Sequence, residues 1–155
     1  MTRRAAARLS LGKPDYETLA EFRYLLRRFV AFSDAAAEEA GLRPQQHQAL
    51  LVIKGFPGRE RITIGELAER LGIRHHSAVG LVNRLVGRSL VRRRADRVDR
   101  RQVTVALTPE AEAVLARLSL AHRGELTRLA PLFQELLAQL SEPPPSAGGK
   151  PHQRP

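Results

Sequence analysis

The chain has 155 residues, the usual size of one domain, and 43% of them are hydrophobic, so a wholly disordered basic protein is excluded. Lysine and arginine number 26 against 16 aspartates and glutamates, and the formal charge of +10 points to a polyanionic partner such as nucleic acid. The sequence has no cysteine, which excludes disulfides and thiolate metal sites within it.

Both ends of the sequence lack the apolar pattern of a folded element. Residues 1–14 are basic and residues 141–155 are crowded with proline, glycine and serine, so we predict that both are disordered and that residues 15–140 form the domain. No stretch approaches the roughly 18 uninterrupted apolar residues of a membrane-spanning helix. A cytoplasmic protein with no membrane partner is expected.

Two helices are predicted in the first part of the domain. Apolar residues recur at helical spacing over about 15–40, and Gly41 is well placed to cap that helix at its C-terminal end. Pro44 suits the first position of a second helix, which Gly55 and Pro57 would keep short.

Two short helices joined by a tight turn are predicted next. Thr63 and Glu66 form a Thr-x-x-Glu capping box, in which each side chain satisfies a free backbone amide at the start of a helix. Gly72 ends that helix, and another helix follows within about two residues. The buried face of this next helix is predicted to consist of Ala78, Leu81, Val82 and Leu85.

After this helix pair the apolar period becomes two, which predicts a β-hairpin. A basic strand begins at Val91, a charged turn covers residues 95–101, and a second strand alternates over residues 103–107. Thr108 is expected to cap a long helix. The fold class is therefore mainly α with a small β-hairpin wing.

This order of elements describes a winged helix-turn-helix over about residues 45–108. It is flanked by an N-terminal helix over about residues 15–40 and a C-terminal segment over about residues 109–140. Within that C-terminal segment, the leucine-rich residues 132–140 are predicted as a final turn or helix.

Most of the positive charge lies in one segment, residues 74–101. This segment holds nine arginines and two aspartates, a net charge of +7. Solvated helix faces would mix charges of both signs, as the first and last helices largely do. Arginine clusters gain affinity for phosphates by counterion release, and guanidinium groups also fit guanine edges. The segment is therefore predicted to bind DNA.

Burying the apolar residues of the second helix of the pair turns a polar face outward. That face consists of His75, His76, Ser77, Val79, Gly80, Asn83 and Arg84. Side chains near the N-terminal end of such a helix reach base edges, where Val79 offers methyl groups to thymine and Gly80 allows close backbone approach. The adjacent residues His75 and His76 do not share a helix face, so no metal site is expected.

Over residues 15–140 the sequence resembles the MarR (multiple antibiotic resistance regulator) family of winged helix-turn-helix transcription regulators. The resemblance rests on Gly-Leu-Arg-Pro-Gln-Gln at residues 41–46, on the helix pair of residues 64–90 and, above all, on the wing. The wing reads Asp-Arg-Val-Asp-Arg-Arg at residues 96–101, against a family pattern of Asp-x-Arg-Asp-x-Arg, and Leu-Thr-Pro-Glu follows at residues 107–110.

In the wing the resemblance implies roles for individual residues. The family often has arginine where this chain has Val98, so the preceding Arg97 is expected to take the position in the minor groove. Arg100 is expected to contact phosphate. Asp99 and Arg101 match the structural pair of the family wing, in which an ion pair would hold the hairpin turn.

The resemblance further implies a homodimer whose first and last helices interlock as dimerisation helices. Its two recognition helices would read a pseudo-palindromic double-stranded DNA operator, with repression as the expected outcome. It also implies a small aromatic or phenolic effector. His47, Phe29, Arg23 and Tyr24 are candidate lining residues, and a core or surface role for each is an equal alternative.

Other function classes remain as alternatives. Catalysis and a cofactor are not expected, because the sequence lacks a nucleophile with its base, a metal set and a phosphate loop. A sequence-neutral, nucleoid-associated protein is the main alternative, since charge alone gives affinity without specificity. RNA binding is disfavoured because no aromatic residue lies among the arginines of residues 74–101. The same intact arginine cluster argues against a winged helix that has lost DNA binding.

Overall fold

The structure is a computed structural model that describes residues 11–96, 99 and 101–141. Its elements are α1 (Lys13–Glu39), α2 (Pro44–Lys54), β1 (Arg61–Thr63), α3 (Ile64–Leu71), α4 (His75–Gly87), β2 (Val91–Ala95), β3 (Val103–Leu107) and α5 (Pro109–Ser141). The predicted fold class, mainly α with a β-hairpin wing, is confirmed. Most of the two ends predicted to be disordered lies outside the described residues, although α1 begins at Lys13, inside the segment predicted to be disordered.

The chain divides into two compact units. The terminal-helix unit comprises residues up to Phe29 and from Leu126 onward, and the winged-helix unit comprises Val30–Glu125. α1 and α5 each contribute one part to each unit.

The winged-helix unit has a continuous apolar core. Leu50 and Ile53 of α2, Leu67 of α3 and Val105 of β3 are all fully buried in it. The face of α4 that the sequence predicts to be buried is confirmed, because Ala78, Leu81, Val82 and Leu85 are each at most 1% exposed. This packing fixes which side of α4 is turned to solvent.

The sheet has three strands, one more than the sequence predicted. β1 pairs antiparallel with β3, β3 pairs antiparallel with β2, and the order is therefore β1-β3-β2. Ile62 of β1 lies opposite Val105, and both side chains are buried. A strand of three residues is too short for its alternation to be recognised in the sequence, and its last residue, Thr63, also caps α3.

The predicted helix caps are present. Thr63 Oγ1 accepts a hydrogen bond from the Glu66 amide at 3.2 Å, and a carboxylate oxygen of Glu66 accepts one from the Thr63 amide at 2.8 Å. Thr108 Oγ1 accepts from the Ala111 amide at 3.2 Å and donates to the Ser89 carbonyl at 2.8 Å. Thr108 thereby starts α5 and fastens it to the segment that precedes β2.

In the terminal-helix unit, α1 and α5 meet through a few specific contacts. The rings of Phe22 and Phe133 pack edge to face with centroids 5.4 Å apart. Thr18 Oγ1 donates to Gln139 Oε1 at 3.0 Å. The predicted final turn or helix over residues 132–140 is part of the uninterrupted helix α5, which continues through Pro131.

Candidate nucleic-acid interface

α4 turns the predicted polar face to solvent. His75, His76, Ser77, Asn83 and Arg84 are exposed, and Val79 and Gly80 are half-buried. The structure therefore brings these seven residues together on one helix, opposite the side that packs into the core. Their contacts with DNA remain a prediction.

The guanidinium group of Arg84 lies beside Gly80. A Cβ atom built on Gly80 would stand 3.5 Å from Arg84 Nη1, which is ordinary van der Waals contact. The Arg84 side chain therefore folds back along α4 toward Gly80, and a methyl group at residue 80 would also fit beside it.

Asn83 has a partner that the sequence analysis missed. Arg93 of β2 donates a hydrogen bond from Nη2 to Asn83 Oδ1. Strand alternation could have indicated this contact, because Arg93 shares a strand face with the buried residue Val91, whereas Arg92 and Arg94 belong to the other face. The wing and α4 are therefore joined by a side-chain contact.

Arg88, which belongs to the basic segment, is used within the fold. Its Nη1 donates to Gln46 Oε1 at 2.9 Å and its Nη2 donates to the Gly41 carbonyl at 2.8 Å. Gln46 is buried, and its Oε1 also accepts from the Arg43 amide at 3.1 Å. Arg88 therefore ties the end of α4 to the corner between α1 and α2.

Three other arginines of α4 and β2 are exposed, and their charges are not neutralised by an ion pair among the described residues. Arg84, Arg92 and Arg94 are exposed, and among the residues that the structure describes no ion pair engages them. The partner of Arg93 is a neutral amide. A surface of uncompensated guanidinium groups beside an exposed helix favours a polyanion.

The wing turn is held by the backbone and by Asp99. Asp99 Oδ1 accepts from the Arg101 amide at 3.0 Å, and the Asp99 carbonyl accepts from the Gln102 amide at 2.9 Å. The contact between Asp99 and Arg101 thus runs through a backbone amide and not through the guanidinium group that the family resemblance implies. Arg97, Val98 and Arg100 lie outside the described residues.

His47 is an interior residue of the winged-helix unit. Its side chain is buried, and its ring centroid is 4.8 Å from that of His122 on α5. Burial lowers the pKa of His47, the charge of His122 lowers it further, and Asp34 opposes the shift. His122 is itself anchored, with Nε2 2.7 Å from Ser33 Oγ.

The other candidate effector residues belong to the terminal-helix unit. Arg23 and Tyr24 are exposed and Phe29 is half-buried. The structure therefore distributes the four candidates over both units.

The described residues contain no group of three or more side chains suited to hold a metal ion. No helix within the described ranges is long and apolar enough to cross a membrane.

Comparison with known proteins agrees with this geometry. The profile of the MarR family matches residues 40–102, which run from the end of α1 to the wing turn. No curated protein sequence matches the chain.

Solved structures share the fold. AbsC, a MarR family transcriptional regulator from Streptomyces coelicolor, has a TM-score of 0.67 and 19% identity over 84% of this chain and 89% of its own. A MarR family transcriptional regulator from Silicibacter pomeroyi has a TM-score of 0.58 and 25% identity over 76% and 80%. A MepR mutant from S. aureus, bound to an oligodeoxyribonucleotide, has a TM-score of 0.57 and 20% identity over 82% and 85%.

The family profile covers α2, the helix-turn-helix and the first wing strand, which are the elements that build the exposed face of α4. The profile match over residues 40–102 and the shared fold show that this chain is similar to the MarR family of winged helix-turn-helix transcription regulators.

Proposed function

We propose that this protein is a sequence-specific regulator of transcription that binds a pseudo-palindromic DNA operator as a homodimer and represses the adjoining gene. The observation that carries the proposal is the exposed face of α4, which is flanked by Arg92 and Arg94, and neither of these forms an ion pair with a carboxylate among the described residues. Polar groups on a helix read base edges in the major groove, and the arginines supply affinity for phosphates.

Two wing residues complete the proposed interface. Arg97 is assigned to the minor groove and Arg100 to phosphate, on the basis of the family pattern and their place in the charged turn. The DNA-bound MepR structure supports this use of the fold, because the oligodeoxyribonucleotide is bound by a protein of the same architecture.

The terminal-helix unit supports the homodimer. Large apolar side chains remain exposed on its helices, including Tyr16 at 59%, Leu19 at 46%, Leu132 at 44% and Leu137 at 50%. Several large apolar side chains left exposed on the same two helices favour an interaction site. A second copy is the proposed occupant, since a twofold pair also places two α4 helices on half-sites about one DNA turn, or about 34–36 Å, apart.

A small aromatic or phenolic effector belongs to the same proposal and rests on the family resemblance. A set of aromatic acids and phenols is the probe. We expect at least one of them to raise the midpoint of thermal unfolding and to change DNA affinity in the same concentration range. A set in which no compound does both would contradict this part of the proposal.

The proposal is tested by selection from a random duplex pool, followed by affinity measurements for the selected and for a scrambled duplex over a salt series. An inverted repeat with half-sites one helical turn apart is expected. The affinities for both duplexes should fall with salt, while the selected duplex stays favoured. A sequence-neutral protein would give no motif and equal affinity for both duplexes, which would contradict specific regulation.

A further inference from the structure

The contact between Arg93 and Asn83 determines which atoms of the Asn83 amide face outward. A guanidinium group carries only hydrogen-bond donors, so the amide atom that it contacts must be the oxygen, as Arg93 Nη2 and Asn83 Oδ1 show. The amide NH2 group of Asn83 then points away from Arg93. Because Asn83 lies on the exposed face of α4, its NH2 group is the part presented to a ligand there.

The position of Arg93 is fixed by the sheet. Arg93 lies opposite Val105 in the β2-β3 pair and shares its strand face with Val91, and both valines are buried in the core. Arg92 and Arg94 alternate onto the other face of the same strand. Only the middle arginine of the three is therefore placed to reach α4.

This arrangement changes what Asn83 can recognise. An asparagine reads adenine with two hydrogen bonds, accepting from the adenine N6 amino group with Oδ1 and donating to N7 with Nδ2. Here Oδ1 already accepts from a charged donor, and a second donor would approach a positive neighbour. The free NH2 group instead matches acceptors such as guanine O6 and N7, thymine O4 or a phosphate oxygen.

We propose that Arg93 is a positioning residue that restricts Asn83 to the role of hydrogen-bond donor and so excludes adenine at one position of each operator half-site. The inference rests on the proposed function, since it specifies how one residue of α4 reads the operator.

Arg93→Ala and Arg94→Ala form a matched pair for the test. Each removes one positive charge from β2, so both should lower the salt dependence of DNA binding by a similar amount. Only Arg93→Ala releases Asn83 Oδ1. In selections from a random duplex pool, we expect Arg93→Ala to enrich adenine about tenfold at one position of each half-site, within the range for a bidentate pair.

Two controls test whether a change in base preference depends on the side-chain amide of Asn83. Arg94→Ala should keep the base preferences of the unchanged protein, and the double variant Asn83→Ala, Arg93→Ala should lose the adenine enrichment. Equal base preferences for Arg93→Ala and Arg94→Ala would overturn the proposal. So would adenine enrichment that persists without Asn83.

A measurement without DNA separates this inference from the proposed function. In a double-mutant cycle we compare the equilibrium unfolding constants of Asn83→Ala, Arg93→Ala and their double variant. We expect the constant of the double variant to differ about threefold from the value that independent single effects would give, because the two side chains contact each other. The cycle with Arg94→Ala should be additive. A selection without any motif would contradict the proposed operator binding, whereas an additive Asn83 and Arg93 cycle would overturn the contact itself.

Discussion

The two units of the chain differ in how completely they bury their apolar residues. In the winged-helix unit Leu50, Ile53, Leu81 and Leu85 are fully buried. In the described part of the terminal-helix unit, by contrast, Leu25 and Leu129 are the only large apolar side chains that are buried, while many others are half exposed. The winged-helix unit therefore has a core of its own, whereas the terminal-helix unit leaves apolar side chains exposed, as the proposed second copy requires.

The largest effect is expected from a cavity in the winged-helix unit. Leu85→Ala removes a fully buried side chain from the face of α4 that packs on the core, and should lower the free energy of unfolding by about 3 kcal/mol. Chemical denaturation measures this change. Leu120→Ala is the control, because Leu120 is 70% exposed, and it should cost less than about 0.5 kcal/mol. Equal losses for the two variants would contradict the assignment of the core.

A charge in the terminal-helix unit should break the proposed dimer. Leu137→Arg places a guanidinium group where a half-exposed leucine is proposed to meet the second copy, and should weaken dimerisation at least about a hundredfold. Sedimentation over a concentration series measures this change. Leu51→Arg is the matched control, because Leu51 is 47% exposed but lies on α2 in the winged-helix unit. Dimerisation that survives Leu137→Arg, or that Leu51→Arg disrupts equally, would contradict the proposal that the second copy covers the terminal-helix unit.

A smaller effect on the free energy of unfolding should distinguish Arg88, which is hydrogen-bonded within the fold, from arginines exposed to solvent. Arg88→Met leaves the buried Gln46 side chain and the Gly41 carbonyl without this donor, and should destabilise the protein by about 1–2 kcal/mol. Arg92→Met removes the same charge from the exposed surface of β2 and should change the unfolding free energy by less than about 0.5 kcal/mol. Arg88→Met should thus cost more stability than Arg92→Met, and the reversed order would contradict the role of Arg88 in the fold.

The smallest effect concerns the buried His47. Its pKa is lowered in the fold, so the unfolded state binds a proton more readily. The contribution of neutral His47 to the free energy of unfolding is then fully present above the ordinary histidine pKa of about 6.5. It declines as the pH falls below that value, by at most about 1.4 kcal/mol per pH unit for one proton.

The variant His47→Gln should lose this part of the pH dependence, while His76→Gln, which changes an exposed residue of α4, should keep it. Unfolding measured between pH 5 and pH 8 gives both slopes. Identical slopes for the original protein and His47→Gln would show that His47 does not respond to pH.

Local sequence signals predicted most of the fold. Thr63, Glu66 and Thr108 cap helices as expected, because a cap depends on residues three or four positions apart. The burial of Leu81 and Leu85 followed from helical periodicity. β1 was not predicted, because a short strand is defined by its pairing with β3, whose residues come about 40 positions later in the sequence.

Long-range side-chain contacts could not be predicted in this way. Arg88 and Gln46 are 42 residues apart, and no spacing rule distinguishes Arg88 from the other arginines of its segment. The contact between His47 and His122 likewise depends on the packing of α2 near α5. The candidate face of α4 was therefore accessible from the sequence, whereas the structure was required to distinguish Arg88, which is hydrogen-bonded within the fold, from the exposed arginines beside α4.

The most direct test of the central claim is the ratio of affinities for the selected and the scrambled duplex, compared among the unchanged protein, Ser77→Ala and Arg97→Ala. If α4 reads base edges, Ser77→Ala should lower this ratio about tenfold, while Arg97→Ala should weaken binding to both duplexes by similar factors. Equal losses on both duplexes for the two variants would contradict the claim that α4 reads the operator.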